Sequence, residues 1–262
     1  MRIHHLRCGT DCPMGGALFD GCSKGLLGTV VCAAQLIETE AGLVLVDTGY
    51  GTRDVADPGR LSAFFRTALN IRFHREETAL HQIEALGFKA ADVRHIVLTH
   101  LDFDHAGGIE DFPNARVHVT AREKDLAERH RRGFINSRRY QPVQFNHVGD
   151  WRTYVGSKGE GWFGFEAVKN LDGLPPEILF VPLPGHTLGH AGVAIQTPAG
   201  WLLNAGDAYF FRGEMDVDRP HCTPGLAGYQ RMMEMDHRAR MTNQHRLREL
   251  KRTHGHAVTI MC

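Results

Sequence analysis

The chain has 262 residues, 42% of them hydrophobic, which suffices for one large domain with a packed core. Thirty basic residues balance thirty acidic ones, so no overall charge favours nucleic acid or an anionic membrane as a partner. The N-terminus lacks the apolar stretch of a signal peptide, and no window resembles a membrane span, so we expect a cytoplasmic protein.

Strand-like and helix-like segments alternate in the first half of the chain. The spacing of apolar residues predicts an edge strand at 2–7, a hairpin of strands at 29–39 and 42–49, helices at 61–70 and 76–86, and a buried strand at 93–100. A short strand at 115–120 and a charged helix at 121–132 follow. Residues 133–177 show no clean period, and we expect loops and short strands that could cover a pocket.

Regular structure returns in the last third. The patterns predict strands at 177–183, 190–198 and 200–207, two helices at 226–240 and 242–253, and a last strand at 257–262. We find no internal repeat or linker, so we expect residues 1–262 to form one domain of the α/β class. Two blocks of strands, each followed by helices, fit two packed sheets with helices outside both. The six cysteines form no CxxC pair, and we expect free thiols.

Side chains that can bind metal ions are concentrated after the predicted strand at 93–100. They are His100, Asp102, Asp104 and His105. A divalent metal needs several donors held at fixed distances, and a loop beyond a strand end can supply them. His186 and Asp207 each follow a further apolar strand in the same way. Three such pieces in one chain predict a metal centre.

Four segments carry a resemblance to the metallo-β-lactamase-fold hydrolases. They are "GLVLVDTG", "THLDFDHAGG", "PGHTLGHAG" and "NAGDAYF". Within that family the chain looks most similar to the N-acyl-homoserine lactonases. The resemblance implies an αββα four-layer sandwich with a dinuclear site at one edge, usually containing zinc.

The resemblance also implies roles for single residues. His100 and His186 would hold the first metal, Asp104 and His105 the second, and Asp207 would bridge both. Asp47 would contact the metal ligands without binding a metal itself, or would simply begin a turn after its strand. His190 is expected to be a hydrogen-bonded structural histidine rather than a ligand.

Asp102 departs from the family pattern, which usually has a histidine at this place. It could be a ligand, or an outer carboxylate that orients a histidine. With two divalent cations, three aspartates and a bridging hydroxide the formal charge is zero, against +1 with a histidine. Oxygen-rich coordination also strengthens the case for manganese or iron. We expect two divalent metal ions, with zinc as the first choice.

The end of the chain is the second departure, because the family's last metal histidine lies beyond the final strand. His256 precedes the strand at 257–262 and would lie on the order of 20 Å from its far end, so it is not expected to be the ligand. Either the protein continues past Cys262 with a histidine, or the second metal has only Asp104, His105 and Asp207 as ligands. A thiolate from Cys262 is a further alternative.

These features predict a metal-dependent hydrolase acting on a small molecule. A metal-bound hydroxide would attack the carbonyl of a lactone or other ester, and Asp104 would help move the proton to the leaving oxygen. Tyr209 could donate a hydrogen bond to the developing oxyanion, although the lactonase tyrosine corresponds to Phe210, so core packing is an equal alternative. Aromatic residues at 162–165 and 63–65 could line an acyl pocket or pack in the core.

Two other functions stay open at this point. The same centre could cleave thioesters, phosphodiesters or sulfate esters, because specificity depends on loops that vary independently of the metals. Alternatively, Asp102 and the missing last histidine could mark a relative that binds metal or ligand without turnover. The oligomeric state and the physiological substrate cannot be read from the sequence.

Overall fold

The strands form two β-sheets in a computed structural model that describes residues 1–129, 132–155, 161–165 and 169–262. In these residues the first sheet contains β1 Arg2–Asp11, β2 Val30–Thr39, β3 Gly42–Val46, β4 Ile71–Arg72, β5 Val93–Val97, β6 Arg116–Thr120 and β7 Trp151–Tyr154, in the order β4-β1-β2-β3-β5-β6-β7. The second sheet contains β8 Lys169–Asn170, β9 Ile178–Pro182, β10 Ala191–Thr197, β11 Gly200–Asn204 and β12 Val258–Met261, in the order β12-β11-β10-β9-β8.

Short helices connect the strands of the first sheet, and longer ones follow the second. They are α1 Ala17–Asp20, α2 Thr52–Ala56, α3 Ala63–Leu69, α4 Ala79–Ala85, α5 Phe103–Ala106, α6 Ala121–Arg129, α7 Asn136–Arg139, α8 Pro224–Met233 and α9 His237–His254. Among the helices of the described ranges, none is both long and apolar enough to cross a membrane.

The two sheets pack face to face because alternate residues of their strands are apolar. Val44 and Val97 of the first sheet lie in one buried cluster with Phe180 and Val193 of the second. The outer face of the first sheet packs against α4 and α6, and the outer face of the second packs against α9 through Leu247. The predicted sandwich of two sheets between helical layers is therefore confirmed.

Some predicted boundaries differ from the structure for local reasons. β1 is not an edge strand along its whole length, because Thr10 and Asp11 pair with β4. The break between the C-terminal helices comes at Asp236, whose carboxylate accepts a hydrogen bond from the backbone N–H of Ala239 and so begins α9. Within 133–177 the structure has α7, β7 and β8, and residues 156–160 and 166–168 lie outside the described ranges. All six cysteines are free thiols, as predicted.

Candidate metal centre

The parallel strands β3 and β5 end side by side and place Asp47 against the start of the histidine-rich loop. The carboxylate of Asp47 accepts hydrogen bonds from the backbone N–H and the hydroxyl of Thr99, each 2.8 Å long. It also lies 3.0 Å from Nδ1 of His105. With Nδ1 of His105 donating to this carboxylate, Nε2 is the nitrogen left to bind a metal.

Close backbone packing fixes the loop that follows. A Cβ atom on Gly107 would lie 2.5 Å from Oδ2 of Asp54 and 2.6 Å from the carbonyl oxygen of Gly49. The N–H of Gly108 donates to the hydroxyl of Thr48 at 2.9 Å. The glycine pair therefore allows α5 to pack against the turn after β3.

The second sheet contributes the other two predicted ligands. His186 follows β9, and Asp207 follows β11, at the end of the sandwich where β5 also ends. The N–H of Ala191 donates to the carbonyl of Thr99 at 3.0 Å, which joins the two sheets beside the site. His190 contacts the carbonyl of Leu183 through Nδ1 and accepts a hydrogen bond from the N–H of Asp207 through Nε2. This is the structural role expected of His190.

Four donors converge to form a first set, namely His100, Asp102, His186 and Asp207, with ligand atoms that all lie within 4.8 Å of one another. Nε2 of His100 lies 3.4 Å from Oδ2 of Asp102 and 3.6 Å from Oδ2 of Asp207. Nε2 of His186 lies 2.9 Å and 3.2 Å from the same two oxygens. Ligands of a tetrahedral zinc ion are about 3.3 Å apart, given metal–ligand bonds of about 2.0–2.1 Å.

His100 gives an independent indication that this set fits a metal. Its Nδ1 lies 2.9 Å from the hydroxyl of Thr99, which itself donates to Asp47. Its Nε2 is buried and has no hydrogen-bond partner among the described residues. A buried polar atom without a partner is costly, so an unpaired nitrogen that faces two carboxylates fits a cation between them.

A second set consists of Asp104, His105 and Asp207. Nε2 of His105 lies 3.8 Å from Oδ2 of Asp104 and 3.3 Å from Oδ1 of Asp207. Asp207 thus presents one carboxylate oxygen to each donor set, which is the arrangement of a bridging ligand. His256 precedes β12 and lies far from this set, with its ring beside that of His254, whereas Cys262 lines the adjacent pocket.

Asp102 has a partner that the sequence did not indicate. Nε and Nη2 of Arg139 each donate to one oxygen of Asp102, at 2.6 Å. Nη2 also lies 2.7 Å from Nε2 of His186, and Nη1 donates to the carbonyl of Met233. Arg139 is fully buried, so this ion pair has no contact with solvent. Oδ1 of Asp102 keeps a lone pair free, whereas Oδ2 also lies 2.9 Å from Nε2 of His186.

The ionisation of these groups follows from burial and from their neighbours. Burial opposes a charge on Asp102, but the Arg139 guanidinium and His100 hold the pKa of that carboxyl well below its usual range. Burial, together with Asp207 and Asp102, raises the pKa of Asp104 to about 7. Burial and the neighbouring His105 lower the pKa of His100 to about 4, which keeps it neutral as a ligand must be.

A cavity of about 350 Å³ opens onto the second donor set, whose residues Asp104, His105 and Asp207 line it. Its other walls are largely apolar and include Phe19, Val31, Leu69, Phe211 and Leu226. This volume and an apolar lining with a few polar groups are typical of a small-molecule site. The first donor set lies deeper, since His100, Asp102 and His186 are 0%, 1% and 1% exposed.

The sequence profile of the family described as "Metallo-beta-lactamase superfamily" matches residues 27–253. The chain belongs to this superfamily. It is 42% identical to a "probable metallo-hydrolase" of Mycobacterium tuberculosis over 262 residues, which cover 100% of this chain and 79% of the relative. It is 26% identical to an "N-acyl homoserine lactonase" of Bacillus thuringiensis over 187 residues, 71% of this chain and 66% of that protein.

The fold agrees with solved structures of this superfamily. An N-acyl homoserine lactone hydrolase with the product N-hexanoyl-L-homoserine at its catalytic metal centre superposes with a TM-score of 0.71 and 21% identity. The match covers 98% of this chain and 91% of that one. The resemblance inferred from the four segments and the expected αββα fold are therefore confirmed.

Several residues of the site were not predicted. Besides Arg139, they include Asp11 and Tyr229, which line the pocket. Burial and the carboxylates of Asp104, Asp11, Asp102 and Asp207 raise the pKa of Tyr229, so its hydroxyl stays protonated near these groups. The ring of Tyr229 lies 5.7 Å from that of Phe210.

For four aromatic residues the sequence left open whether they line the pocket or pack in the core. Tyr209 lines the pocket and is hydrogen-bonded to the side chain of Cys262. Trp162 and Phe165 pack in the core of the second sheet, and Phe65 packs in a cluster with Phe103. Core packing was the alternative left open for these aromatic residues.

Proposed function

We propose that this chain is a metal-dependent hydrolase that opens a lactone or cleaves another carboxylic ester. The observation that carries the proposal is the position of Asp207, which faces both donor sets at the base of an apolar pocket. The chain belongs to the metallo-β-lactamase superfamily and is similar to lactonases, and both facts support the same reaction class.

The first metal would be held by the set His100, Asp102, His186 and Asp207, and the second by the set Asp104, His105 and Asp207. Zinc is the first choice because nitrogen and oxygen donors at tetrahedral spacing suit it, with manganese or iron as alternatives. When bound, two such ions would polarise a carbonyl and lower the pKa of water.

The residues of the chain would position the substrate and move the proton. Asp104 belongs to the second donor set and also lines the pocket, so we expect its carboxyl to pass a proton to the leaving oxygen. Tyr229 lines the pocket and keeps its proton, and we propose that its hydroxyl donates a hydrogen bond to the oxygen that gains charge. Tyr209, which the sequence suggested for that role, has a hydrogen bond to the side chain of Cys262.

The pocket wall supports a substrate with an apolar substituent. Phe19, Val31 and Leu226 can contact a hydrocarbon chain, and burying each methylene contributes about 0.8 kcal/mol. We therefore expect catalytic efficiency to rise with acyl chain length until the cavity of about 350 Å³ is filled. Free thiols at all six cysteines support a reducing compartment such as the cytoplasm.

The proposal is tested by assaying the zinc-loaded protein against homoserine lactones of increasing acyl length and against simple carboxylic esters. Thioesters, phosphodiesters and sulfate esters form the comparison panel. The Asp207→Asn variant, which removes the bridging carboxylate, controls for activity from another enzyme in the preparation. Turnover of phosphodiesters or sulfate esters without turnover of any lactone or carboxylic ester would overturn the proposal.

We also propose that residues 1–262 act as one domain, because both sheets supply ligands to a single site. Elemental analysis after dialysis separates an enzyme from a relative without activity. Two metals per chain support the hydrolase, whereas a full-length preparation with no metal would contradict it.

A further inference from the structure

Arg139 is a buried cation at the back of the first donor set, and nearly all of its donors are accounted for. Nε and Nη2 donate to the two oxygens of Asp102 at 2.6 Å, and Nη1 donates to the carbonyl of Met233 at 2.6 Å. Nη2 also lies 2.7 Å from Nε2 of His186. Removing a charge from water is expensive unless the charge is paired with good geometry. The two parallel hydrogen bonds meet that requirement and fix the orientation of the Asp102 carboxylate.

The charges around the site explain why a cation stands there. Three carboxylates face the donor positions, and they would neutralise most of the charge of two divalent ions. A centre with less positive charge polarises bound groups less strongly. Arg139 adds one positive charge in contact with both Asp102 and His186, so the Asp102–Arg139 pair as a whole is neutral, as a histidine would be.

A second buried carboxylate, that of Glu123, holds this arrangement in place. It accepts hydrogen bonds from the N–H of Leu101, from the hydroxyl of Thr187 and from the hydroxyl of Tyr140. These three residues are the chain neighbours of Asp102, His186 and Arg139, respectively. Glu123 therefore fixes three segments of chain that must keep their spacing for Arg139 to contact Asp102.

We propose that Arg139 is a positioning residue of the first metal site, which orients Asp102 as a ligand and compensates the negative charge that this aspartate adds. The pair then acts as one neutral unit, and its two members depend on each other. This inference rests on the proposed metal-dependent function, but its test measures metal binding and not turnover.

The experiment compares Arg139→Met, Arg139→Lys, Asp102→His and the double variant Asp102→His/Arg139→Met with the parent protein. Arg138→Met is the matched control, since it makes the same change one residue earlier, where the side chain contacts Phe134 at the surface. The readouts are zinc affinity by chelator competition, metals per chain, and the visible absorption spectrum of the Co²⁺-loaded protein.

Arg139→Met should lower the affinity of the first site by about 10- to 100-fold and change the Co²⁺ spectrum, as loss of a partner behind a ligand does. The double variant should recover most of that affinity, because a neutral histidine needs no guanidinium. Arg138→Met should behave like the parent. If the double variant binds zinc as poorly as Arg139→Met, Arg139 has only a structural role and the inference is wrong.

Arg139→Lys covers the case in which Arg139→Met does not fold. It keeps the charge but loses the paired hydrogen bonds, so its zinc affinity should lie between those of the parent and Arg139→Met. If Arg139→Met does not fold, the zinc affinity of Arg139→Lys should still lie below that of the parent. Affinity equal to that of the parent would contradict the orienting role.

The outcomes separate this inference from the function on which it rests. If the parent protein binds two metals but hydrolyses none of the substrates, the proposed function is wrong. The zinc affinities of the variants then still decide the role of Arg139. A parent protein that binds no metal overturns both.

Discussion

Oδ2 of Asp47 lies 3.0 Å from Nδ1 of His105, and this contact fixes which nitrogen of the imidazole can face Asp207. Asp47 reaches this position in a left-handed backbone conformation, with φ of 55°, and its carboxylate also holds the backbone and hydroxyl of Thr99. A residue in such a conformation, held by three hydrogen bonds, is typical of a functional site.

Replacing Asp47 by Asn should weaken the second metal site by about 10- to 100-fold. The amide can still accept a hydrogen bond from Thr99, but its NH₂ group can then face Nδ1 of His105. That contact would shift the imidazole proton to Nε2 and remove the lone pair that a metal needs. Zinc titration followed by elemental analysis measures the effect. Asp216→Asn at the surface is the control, and parent-like affinity in Asp47→Asn would contradict the prediction.

Tyr229 should contribute more to catalysis than Tyr209. We expect Tyr229→Phe to lower kcat on the order of 100-fold, as the loss of one donor to a developing oxyanion does. The KM should change little, because the ring still packs against Phe210. Steady-state kinetics on the best lactone substrate measure both constants.

The comparison with Tyr209→Phe decides between the two tyrosines. That variant loses a hydrogen bond to Cys262 and should reduce kcat by a smaller factor than Tyr229→Phe. A larger loss in Tyr209→Phe would restore the role that the sequence suggested for Tyr209.

His95 and His118 should make the protein less stable in acid. Nδ1 of His95 lies 2.9 Å from Nε2 of His118, whose Nδ1 lies 2.8 Å from the hydroxyl of Tyr154. Burial and the nearby His95, Arg152 and Arg116 lower the pKa of His118 to about 3, and burial also lowers the pKa of His95. The unfolded chain binds these protons below pH about 6.5, whereas the folded chain does not.

The free energy of unfolding should therefore fall as the pH drops below about 6.5, by about 2 kcal/mol at pH 5 for His118 alone. Denaturant titrations of metal-free protein between pH 5 and pH 7.5 measure this loss without a contribution from metal release. His118→Gln should show a shallower pH dependence than the parent, and the exposed His74→Gln should not. Equal slopes in the parent and His118→Gln would argue against a buried neutral histidine.

Much of the site could be predicted because its ligands come from short segments with a regular setting. His100, Asp104 and His105 follow a buried strand, and His186 and Asp207 each follow another, so the strand pattern alone places them at one edge of the sandwich. The resemblance then supplied the pairing of the ligands. The structure brings these donors together.

Arg139 and Glu123 could not be predicted in this way. Arg139 lies in a segment where apolar residues show no regular period. Glu123 lies in a predicted helix rich in charged residues, which are normally exposed to solvent. The local sequence therefore gives no sign that either side chain is buried. Their roles depend on contacts with Asp102 and with Thr187, which are 37 and 64 residues away in the chain. Such contacts exist only once both sheets are assembled.

The difference in depth between the two donor sets has a consequence for how ions enter. The first donor set is closed off from solvent, and the second donor set lies between it and the pocket. Metal ions would therefore enter and leave the two sites in a fixed order. In the proposed dinuclear centre, an ion bound by the first donor set would have to arrive before the ion of the second set and depart after it. The ion of the first donor set has ligands from both sheets. It would then exchange only as fast as the second site empties or the two sheets separate.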